Sequence, residues 1–172
     1  MSDPPSGGKA RLIEVHVAGL GLDEDSGATV ILLESDADDS LVMAIGLAEA
    51  TSIARALGQV ETPRPLAHDL VERVLDATDA QVRQVEIVAL RDGTYFAELL
   101  LIDADDQETR IDSRPSDAIA VALRVDAPIY VHEHVLGEDR QRTQEFPSPA
   151  DKEGWKKLLE EMEPEDFGKY KM

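Results

Sequence analysis

Hydrophobic and polar residues alternate along the chain with changing periods, and these periods predict seven strands. The segment RLIEVHVAGL (11–20) alternates and is rich in β-branched residues, as a half-buried strand is, whereas TVILLE (29–34) is apolar almost throughout, as a strand buried on both faces is. The other strands are predicted in LVMAI (41–45), QVRQVEIVAL (81–90), YFAELLLI (95–102), TRID (109–112) and PIYV (128–131). Asp92 and Gly93 lie between two of these runs and predict a tight β-hairpin.

Helical spacing predicts four helices. The first, LAEATSIARAL, follows Gly46 and has an apolar stripe at Ala50, Ile53, Ala54 and Leu57. The second is predicted to begin at Pro65, a residue suited to a first helical position, and to bury Leu66, Leu70, Val71 and Val74. The third runs from Pro115 to about Arg124. A fourth, in WKKLLEEMEPEDFGKY, has an apolar stripe at Trp155, Leu158, Leu159 and Met162, and it either docks back onto the domain or binds a partner.

An internal repeat organises these elements. LLESDADD (32–39) matches LLLIDADD (99–106) at six of eight positions, and the pair Glu49–Ala50 aligns with Asp117–Ala118. Each copy is predicted as strand, strand, strand, helix, with the second helix between the copies. We therefore expect an α+β fold with antiparallel or mixed sheets and a short C-terminal helix. The predicted organisation is a disordered leader (1–10), one folded domain (11–137) and a charged tail (138–172) that contains the amphipathic helix.

Composition and charge narrow the possible classes of function. The chain has 36 acidic and 17 basic residues, a formal charge of 17 − 36 = −19, and this field opposes unspecific binding of nucleic acid. There is no cysteine, which excludes disulfides and thiolate metal sites. The N-terminal residues MSDPPSGGKA lack a signal-peptide core, and no segment approaches transmembrane length. We therefore expect a soluble, cytoplasmic protein without a membrane partner.

The stretch RIDSRPSDAIAVALRVDAPIYV (110–131) carries the densest candidate chemistry. Pro115 at the start of the third helix puts Ser113 or Arg114 at the cap, and an acidic residue in the first turn, Asp117, is favoured by the helix dipole. Capping alone accounts for the serines and Asp117, and it accounts less well for Asp112 and Arg114. An arginine beside a helix N-terminus is also a natural phosphate or carboxylate site. Both interpretations stay open.

Three further clusters have both a chemical and a structural interpretation. The acidic turns, Asp36/Asp38/Asp39 and Asp103/Asp105/Asp106, are dense enough to hold a divalent cation, but they lack the glycine and the distal glutamate of a calcium loop, which favours solvated turns. His132 and His134, if extended, form half of a zinc site without a third ligand. His68–Asp69 is either an acid–base pair or two polar residues opposite an apolar face.

Four blocks of the sequence resemble the bifunctional nuclease domain family of bacteria and plants. They are IGLAEATSIARAL, RPLAHDLVERVL, DGTYFAELLL and IDSRPSDAIAVALRVDAPIYVHEHVL, within about Arg11 to Leu136. The family's characteristic Asp-x-Arg-Pro-Ser-Asp-Ala run stands here as Asp112, Arg114, Pro115, Ser116, Asp117 and Ala118. The resemblance implies a compact α+β domain that self-associates, with a dimer favoured, and a nuclease that cleaves RNA and DNA.

On this resemblance we assign roles to individual residues. The hypothesis places Asp112, Arg114 and Asp117 in the catalytic site and has Asp112, Asp117 and Glu49 hold Mg²⁺ or Mn²⁺, which would activate water. Contacts to RNA or DNA are expected from Arg64, Arg114 and Arg124. The alternative is a non-catalytic binding or regulatory module, in which Arg114 forms a structural salt bridge with Asp112 or Asp117.

Overall fold

The computed structural model describes residues 11–23, 27–37, 39–60 and 62–142, and the side chains of these ranges as far as residue 137. This part of the chain is an α+β domain with one mixed seven-stranded sheet and four helices. The strands are β1 (Leu12–Leu22), β2 (Thr29–Glu34), β3 (Ser40–Ile45), β4 (Gln81–Arg91), β5 (Thr94–Ile102), β6 (Glu108–Ser113) and β7 (Ile129–His132). The helices are α1 (Leu47–Leu57), α2 (Ala67–Ala77), α3 (Pro115–Val125) and α4 (Glu133–Arg142).

The predicted duplication is visible in the order of the strands. The sheet runs β3-β2-β1-β7-β4-β5-β6, so one antiparallel meander lies on each side of the short central strand β7. β7 is antiparallel to β1 and parallel to β4, which means that the two meanders run in opposite directions. Each meander leads into a helix, α1 or α3, and α2 lies between the copies in sequence. The hairpin at Asp92–Gly93 forms as predicted, with φ values of 49° and 79°.

The two acidic turns share one hydrogen-bonding pattern, but their equivalent positions are shifted by one residue from those that the sequence alignment pairs. The Oγ of Ser35 accepts hydrogen bonds from the amides of Ala37 and Asp39, at 3.2 and 3.1 Å. In the second copy Oδ1 of Asp103 accepts the same i+2 and i+4 amides, both at 2.9 Å. Structurally equivalent positions of the two copies are therefore 68 residues apart, as Glu49 and Asp117 are. The acidic residues that match in the sequence are 67 residues apart. Asp103 serves as a turn acceptor, a role that Ser35 fills equally well.

The core lies between the sheet and the helices that pack against it. β2 is buried over Thr29–Leu33, as its continuous apolar run predicts. α1 packs against β2, α3 packs against β4 and β5, and the two helices pack against each other. The small residues Ala118, Ala120 and Ala122 of α3 are fully buried, so this helix can approach its neighbours closely.

α2 corrects two predictions. The helix begins at Ala67 with Leu66 as its N-cap, two residues after the predicted start at Pro65. The face predicted to be buried is exposed: Leu66, Leu70, Val71 and Val74 are 40–55% accessible, and Leu75 is the residue that enters the core. The reason is that His68 and Asp69 bond to side chains of α3, which turns the polar side of α2 inward.

The last described element also differs from its prediction. His132 ends β7, and His134 lies in the first turn of α4, so the two histidines do not share an extended strand. The predicted leader and the predicted amphipathic helix near Trp155 lie outside the described residues. No helix of the described part of the chain is long and apolar enough to cross a membrane.

Candidate functional site

The candidate site lies where α1 and α3 begin side by side. Gly46 is the N-cap of α1, and Arg114 occupies the equivalent N-cap of α3, 68 residues later. Glu49 and Asp117 are equivalent third residues of the two helices. Because α1 and α3 pack against each other, the carboxylates of Glu49 and Asp117 both contact the guanidinium of Arg114. We call Glu49, Arg114, Asp117 and the adjoining His68 the α1/α3 corner.

Arg114 joins the two helices through three of its five N–H groups. Its Nε donates to Oδ2 of Asp117 at 2.7 Å, and its Nη2 donates to Oδ1 of Asp117 at 3.0 Å and to Oε1 of Glu49 at 2.7 Å. These bonds, with Asp117 first and Glu49 second, raise the pKa of Arg114 above its usual value. The side chain is nevertheless 66% exposed, and Nη1 has no partner among the described residues. Two N–H donors therefore point away from the ion pairs and are available to a ligand.

One carboxylate oxygen of Glu49 takes no part in the ion pair with Arg114. Oε1 accepts from Arg114, whereas Oε2 has no hydrogen-bond partner in the described part of the chain, although the side chain is only 17% exposed. This oxygen lies over Gly46, where a Cβ would come within 2.2 Å of it. Glycine at the N-cap is therefore what gives Glu49 room to fold back over the start of its own helix.

Asp117 is also held by a chain of hydrogen bonds that reaches α1 through α2. His68 Nε2 lies 3.1 Å from Oδ1 of Asp117, and His68 Nδ1 lies 2.8 Å from the Oγ of Ser52. Nη2 of Arg124 donates to the same Oγ at 3.0 Å, so the Ser52 hydroxyl proton is free to point at Nδ1. The arrangement then assigns the ring proton of a neutral His68 to Nε2, from which it is donated to Asp117.

Asp117 remains ionised in this network. Partial burial alone would raise its pKa, but the hydrogen bonds from Arg114 and then from His68 outweigh burial, and the pKa of Asp117 is lowered. Ser52, His68 and Asp117 have the connectivity of a nucleophile, a base and an orienting acid. Ser52 is 5% exposed within α1, and Arg124 donates to its oxygen. This burial favours a positioning role for Ser52.

Arg124 belongs to the structural support of the corner. Its side chain is only 7% exposed, Nε donates to Oδ1 of Asp69 at 2.7 Å, and Nη1 donates to the carbonyl of Ala120 at 2.7 Å. The other oxygen of Asp69 accepts the amide of Leu66 at 2.8 Å, and this bond together with the one from Arg124 lowers the pKa of Asp69. His68 and Asp69 thus bond to two different partners and not to each other.

Two of the residues predicted for the site lie apart from the corner. Asp112 is on β6 opposite Glu98, and strand alternation puts it on the side of Arg110, away from the core face on which Ala97 is buried. Arg64 lies in the connection between α1 and α2, exposed and without a side-chain partner among the described residues. The structure therefore brings Glu49, Arg114 and Asp117 together and leaves Asp112 and Arg64 outside.

The opposite side of the sheet carries a second polar cluster, which we call the Glu86 cluster. Glu86 on β4 is 3% exposed; its carboxylate accepts from Gln84 at 2.6 Å and from Arg110 at 3.2 and 3.3 Å, and lies 2.9 Å from Nε2 of His132. Burial would raise the pKa of Glu86, but the bonds from His132, Arg110 and Gln84 lower it overall. His132 is thus engaged by a carboxylate, and its ring meets that of His134 edge to face at 5.6 Å.

The described part of the chain offers few free ligands for the predicted metal ion. Within the described ranges, no group of three or more His, Asp or Glu side chains is arranged to hold a metal ion. At the corner both oxygens of Asp117 and one of Glu49 are bonded to Arg114, so a divalent cation would have to displace the guanidinium. The residues as arranged do not fit a resident ion, and cation dependence stays a prediction.

Comparison with known protein families gives one match over most of the domain. The model of the bifunctional nuclease domain matches residues 30–144, a range that contains α1, α2 and α3 and hence the corner.

Relatives of the chain are found in bacteria and plants. An uncharacterized protein of Mycobacterium tuberculosis is 36% identical over 166 residues, 90% of this chain and 97% of the relative. Bifunctional nuclease 2 of Arabidopsis thaliana is 29% identical over 140 residues, and Bifunctional nuclease 1 of Oryza sativa subsp. japonica is 28% identical over 133 residues. The matches take up 79% and 75% of this chain but only 43% and 40% of the two plant proteins.

Proposed function

Because the chain belongs to the bifunctional nuclease domain family, we propose that it is a nuclease that hydrolyses phosphodiester bonds of RNA, DNA or both at the α1/α3 corner. The observation that carries this proposal is the exposed guanidinium of Arg114, which is fixed by two carboxylates and still has both N–H groups of Nη1 free of any described partner. A fixed guanidinium with two free N–H donors on Nη1 can donate to phosphate oxygens.

In the proposed reaction Arg114 binds the phosphate and Glu49 acts as the general base. Water attacks the phosphorus and gives its proton to the free Oε2 of Glu49, the bond from phosphorus to the leaving oxygen breaks, and the leaving oxygen takes a proton from solvent. Nη1 of Arg114 stabilises the negative charge that develops on the phosphoryl oxygens. Asp117 and His68 are positioning residues, since Asp117 holds Arg114, His68 holds Asp117, and neither touches a reacting atom in this scheme.

The ion pairs also support the second candidate function, a non-catalytic module in which Arg114 fixes the corner. Two of the three bonds of Arg114 go to Asp117, which is three residues later at the start of the same helix. A local salt bridge of this kind can serve the structure alone. A purely structural guanidinium, however, gains nothing from being 66% exposed with two spare donors. The two functions differ in whether the protein cleaves nucleic acid and whether that cleavage depends on Glu49.

The decisive experiment compares purified wild-type protein with Glu49→Gln on labelled single- and double-stranded RNA and DNA. We expect Glu49→Gln to lower the cleavage rate about 10²–10⁴-fold, which is the usual contribution of a general base. Gln keeps the volume of the side chain and one oxygen for Arg114, so the fold should persist. Asp76→Asn is the matched control, because Asp76 is exposed on α2 and its carboxylate bonds to no described residue. Equal cleavage by all three proteins would overturn the catalytic proposal.

The same assay tests the remaining site predictions. Chelator, Mg²⁺ and Mn²⁺ arms test cation dependence, and loss of cleavage in chelator would require the corner to rearrange around an ion. Asp112→Ala tests the one predicted catalytic residue that lies on the other side of the sheet, and full activity would remove it from the site.

Self-association through α2 is the second part of the proposal. Leu66, Leu70 and Val74 recur every four residues on the outer side of α2, are 41–55% exposed, and form a row that a second copy of the same helix would cover. A twofold contact buries the same residues from both copies, so a single apolar row is sufficient for a dimer.

A further inference from the structure

A groove at the opposite ends of α1 and α3 from the corner combines arginine side chains with an apolar wall. It has a volume of about 550 Å³ and lies between the second half of α1, the start of α2 and the end of α3. Its cationic lining is Arg55, Arg73 and Arg124, and its acidic lining is Asp69 and Glu72. In a chain of formal charge −19, three arginines against two acids make a locally positive surface.

Two of the three arginines form no salt bridge in the described part of the chain. Arg124 is paired with Asp69 at 2.7 Å, which removes one charge of each sign from the groove. Arg55 and Arg73 form no salt bridge with any described residue, although the charge of Arg55 also acts on Asp69. The groove as a whole has three guanidinium groups and two carboxylates. Arg55 is half-buried in the last turn of α1, so its guanidinium is partly desolvated. A half-buried guanidinium with spare donors is a place where an anion binds well.

The groove and the corner share one wall. Arg124 donates to the Oγ of Ser52, and that oxygen lies 2.8 Å from Nδ1 of His68. On α2 the neighbouring residues His68 and Asp69 face the corner and the groove respectively. Arg114 and Arg124 are ten residues apart on α3, about 15 Å along the helix axis, so a strand whose phosphate is held by Arg114 reaches the groove a few nucleotides from that phosphate.

Resting on the function proposed above, we propose that this groove is a nucleotide subsite: it holds a unit of a nucleic-acid strand a few nucleotides from the cleaved bond, with Arg55 and Arg73 on its phosphate. Val60 and Leu123 form an apolar wall against which a base packs. The volume lies within the range of about 300–1,000 Å³ that small-ligand sites occupy.

The test measures binding without cleavage, so that it does not depend on catalysis. A fluorescein-labelled single-stranded oligonucleotide is titrated with the Glu49→Gln protein, and with the same protein carrying Arg55→Gln and Arg73→Gln, at several salt concentrations. We expect the groove variant to bind at least about tenfold more weakly at low salt and to lose roughly 1.4 from the slope of log K against log salt, since each single-strand phosphate contact contributes about 0.7.

The control removes the same charge elsewhere. Arg11 and Arg83 form exposed ion pairs with Glu133 and Glu108, so Arg11→Gln with Arg83→Gln changes the net charge equally without touching the groove. We expect this control to keep the salt slope of the parent. Equal loss in both double variants, or no loss in the groove variant, would overturn the subsite.

In the catalytically competent chain the groove variant should raise KM and leave kcat within about twofold. This separates the subsite from the catalytic proposal: cleavage by Glu49→Gln decides the role of the corner, and the groove-specific change in binding decides the subsite. Thermal melts of both double variants show whether either substitution unfolds the domain.

Discussion

At the scale of single residues, the corner depends on a difference between the two copies of the repeat. The N-cap of α1 is Gly46 and the equivalent N-cap of α3 is Arg114. Glycine leaves space over the first turn of α1, and the carboxylate of Glu49 fills it; arginine in the other copy supplies the charge that this carboxylate binds. Arginine at both N-caps would bring two like charges together. Glycine at both would leave the carboxylates without a guanidinium. The site thus exists because the copies diverged at one position.

We predict that Gly46→Ala lowers nuclease activity about 10–100-fold without unfolding the protein. Gly46 has φ −72° and ψ 153°, which alanine adopts freely, but the new Cβ would lie 2.2 Å from Oε2 of Glu49 and displace that carboxylate from its place beside Arg114. Alanine restricts the unfolded chain, which stabilises by about 0.4–1 kcal/mol, and it is a poorer N-cap than glycine, which offsets that gain. Thermal melts and kcat measure the two effects. Unchanged kcat would show that the position of Glu49 does not matter.

At the scale of secondary-structure elements, local patterns predicted most of the fold. The bounds of β2 and α1 follow their hydrophobic pattern, and Asp92–Gly93 forms the hairpin turn because both residues adopt positive φ. The sequence period also predicted α2 as a helix, but it assigned the wrong face to the core. Periodicity tells which residues share a face; it does not tell whether polar partners elsewhere bind the other face more strongly. His68 and Asp69 bond to such partners on α3, namely Asp117 and Arg124.

The candidate site was predictable only in part, for a related reason. Arg114 and Asp117 were found because they are close in sequence at a helix start, and Glu49 was found through the repeat. The link from Ser52 to His68 spans 16 residues and the link from His68 to Asp117 spans 49, so no local pattern relates them. The available signal was the His68–Asp69 pair on a helix, which indicated polar partners without identifying them.

At the same scale, the Glu86 cluster ties β4 to β6 and β7, and it gives a prediction about acid stability. The pKa of Glu86 is lowered from 4.5 in the folded protein, so its ionisation stabilises the fold above about pH 4.5, and this contribution is lost as pH falls through the lower folded pKa. We expect Glu86→Gln to cost about 1–3 kcal/mol at pH 7, because charged hydrogen bonds to Arg110 and His132 are weakened.

Urea unfolding between pH 7 and pH 3 measures this effect. The wild-type protein should lose more stability across the acid range than Glu86→Gln, and the two curves should converge at the lowest pH. Glu14→Gln is the control: Glu14 is exposed on β1 and bonds to no described residue, so its variant should follow the wild-type curve. A Glu86→Gln curve parallel to that of the wild type would contradict the assignment.

At the scale of the whole molecule, the charge of −19 makes binding of nucleic acid a local matter. The corner itself has one guanidinium between two carboxylates, so it does not attract a polyanion over distance, whereas the groove has unpaired arginines within the same group of helices. Attraction and positioning are thus assigned to different surfaces: the groove supplies favourable charge, and Arg114 supplies geometry. On the function proposed above, this division lets an acidic domain act on nucleic acid without a basic face in its described part.

The apolar row of α2 gives the last prediction, which concerns assembly. Leu70 and Val74 are 55% and 53% exposed in one copy of the chain, and glutamate at both positions would place charges in the twofold contact proposed above. We expect the wild-type protein to be a dimer by sedimentation equilibrium and the Leu70→Glu/Val74→Glu protein to be a monomer. Because dimerisation adds stability by mass action, the wild-type melting temperature should rise with protein concentration and that of the variant should not. Leu22→Glu/Ile111→Glu introduces the same charges at two exposed apolar positions of the sheet and should remain dimeric. A wild-type protein that sediments as a monomer throughout would overturn the proposed dimer.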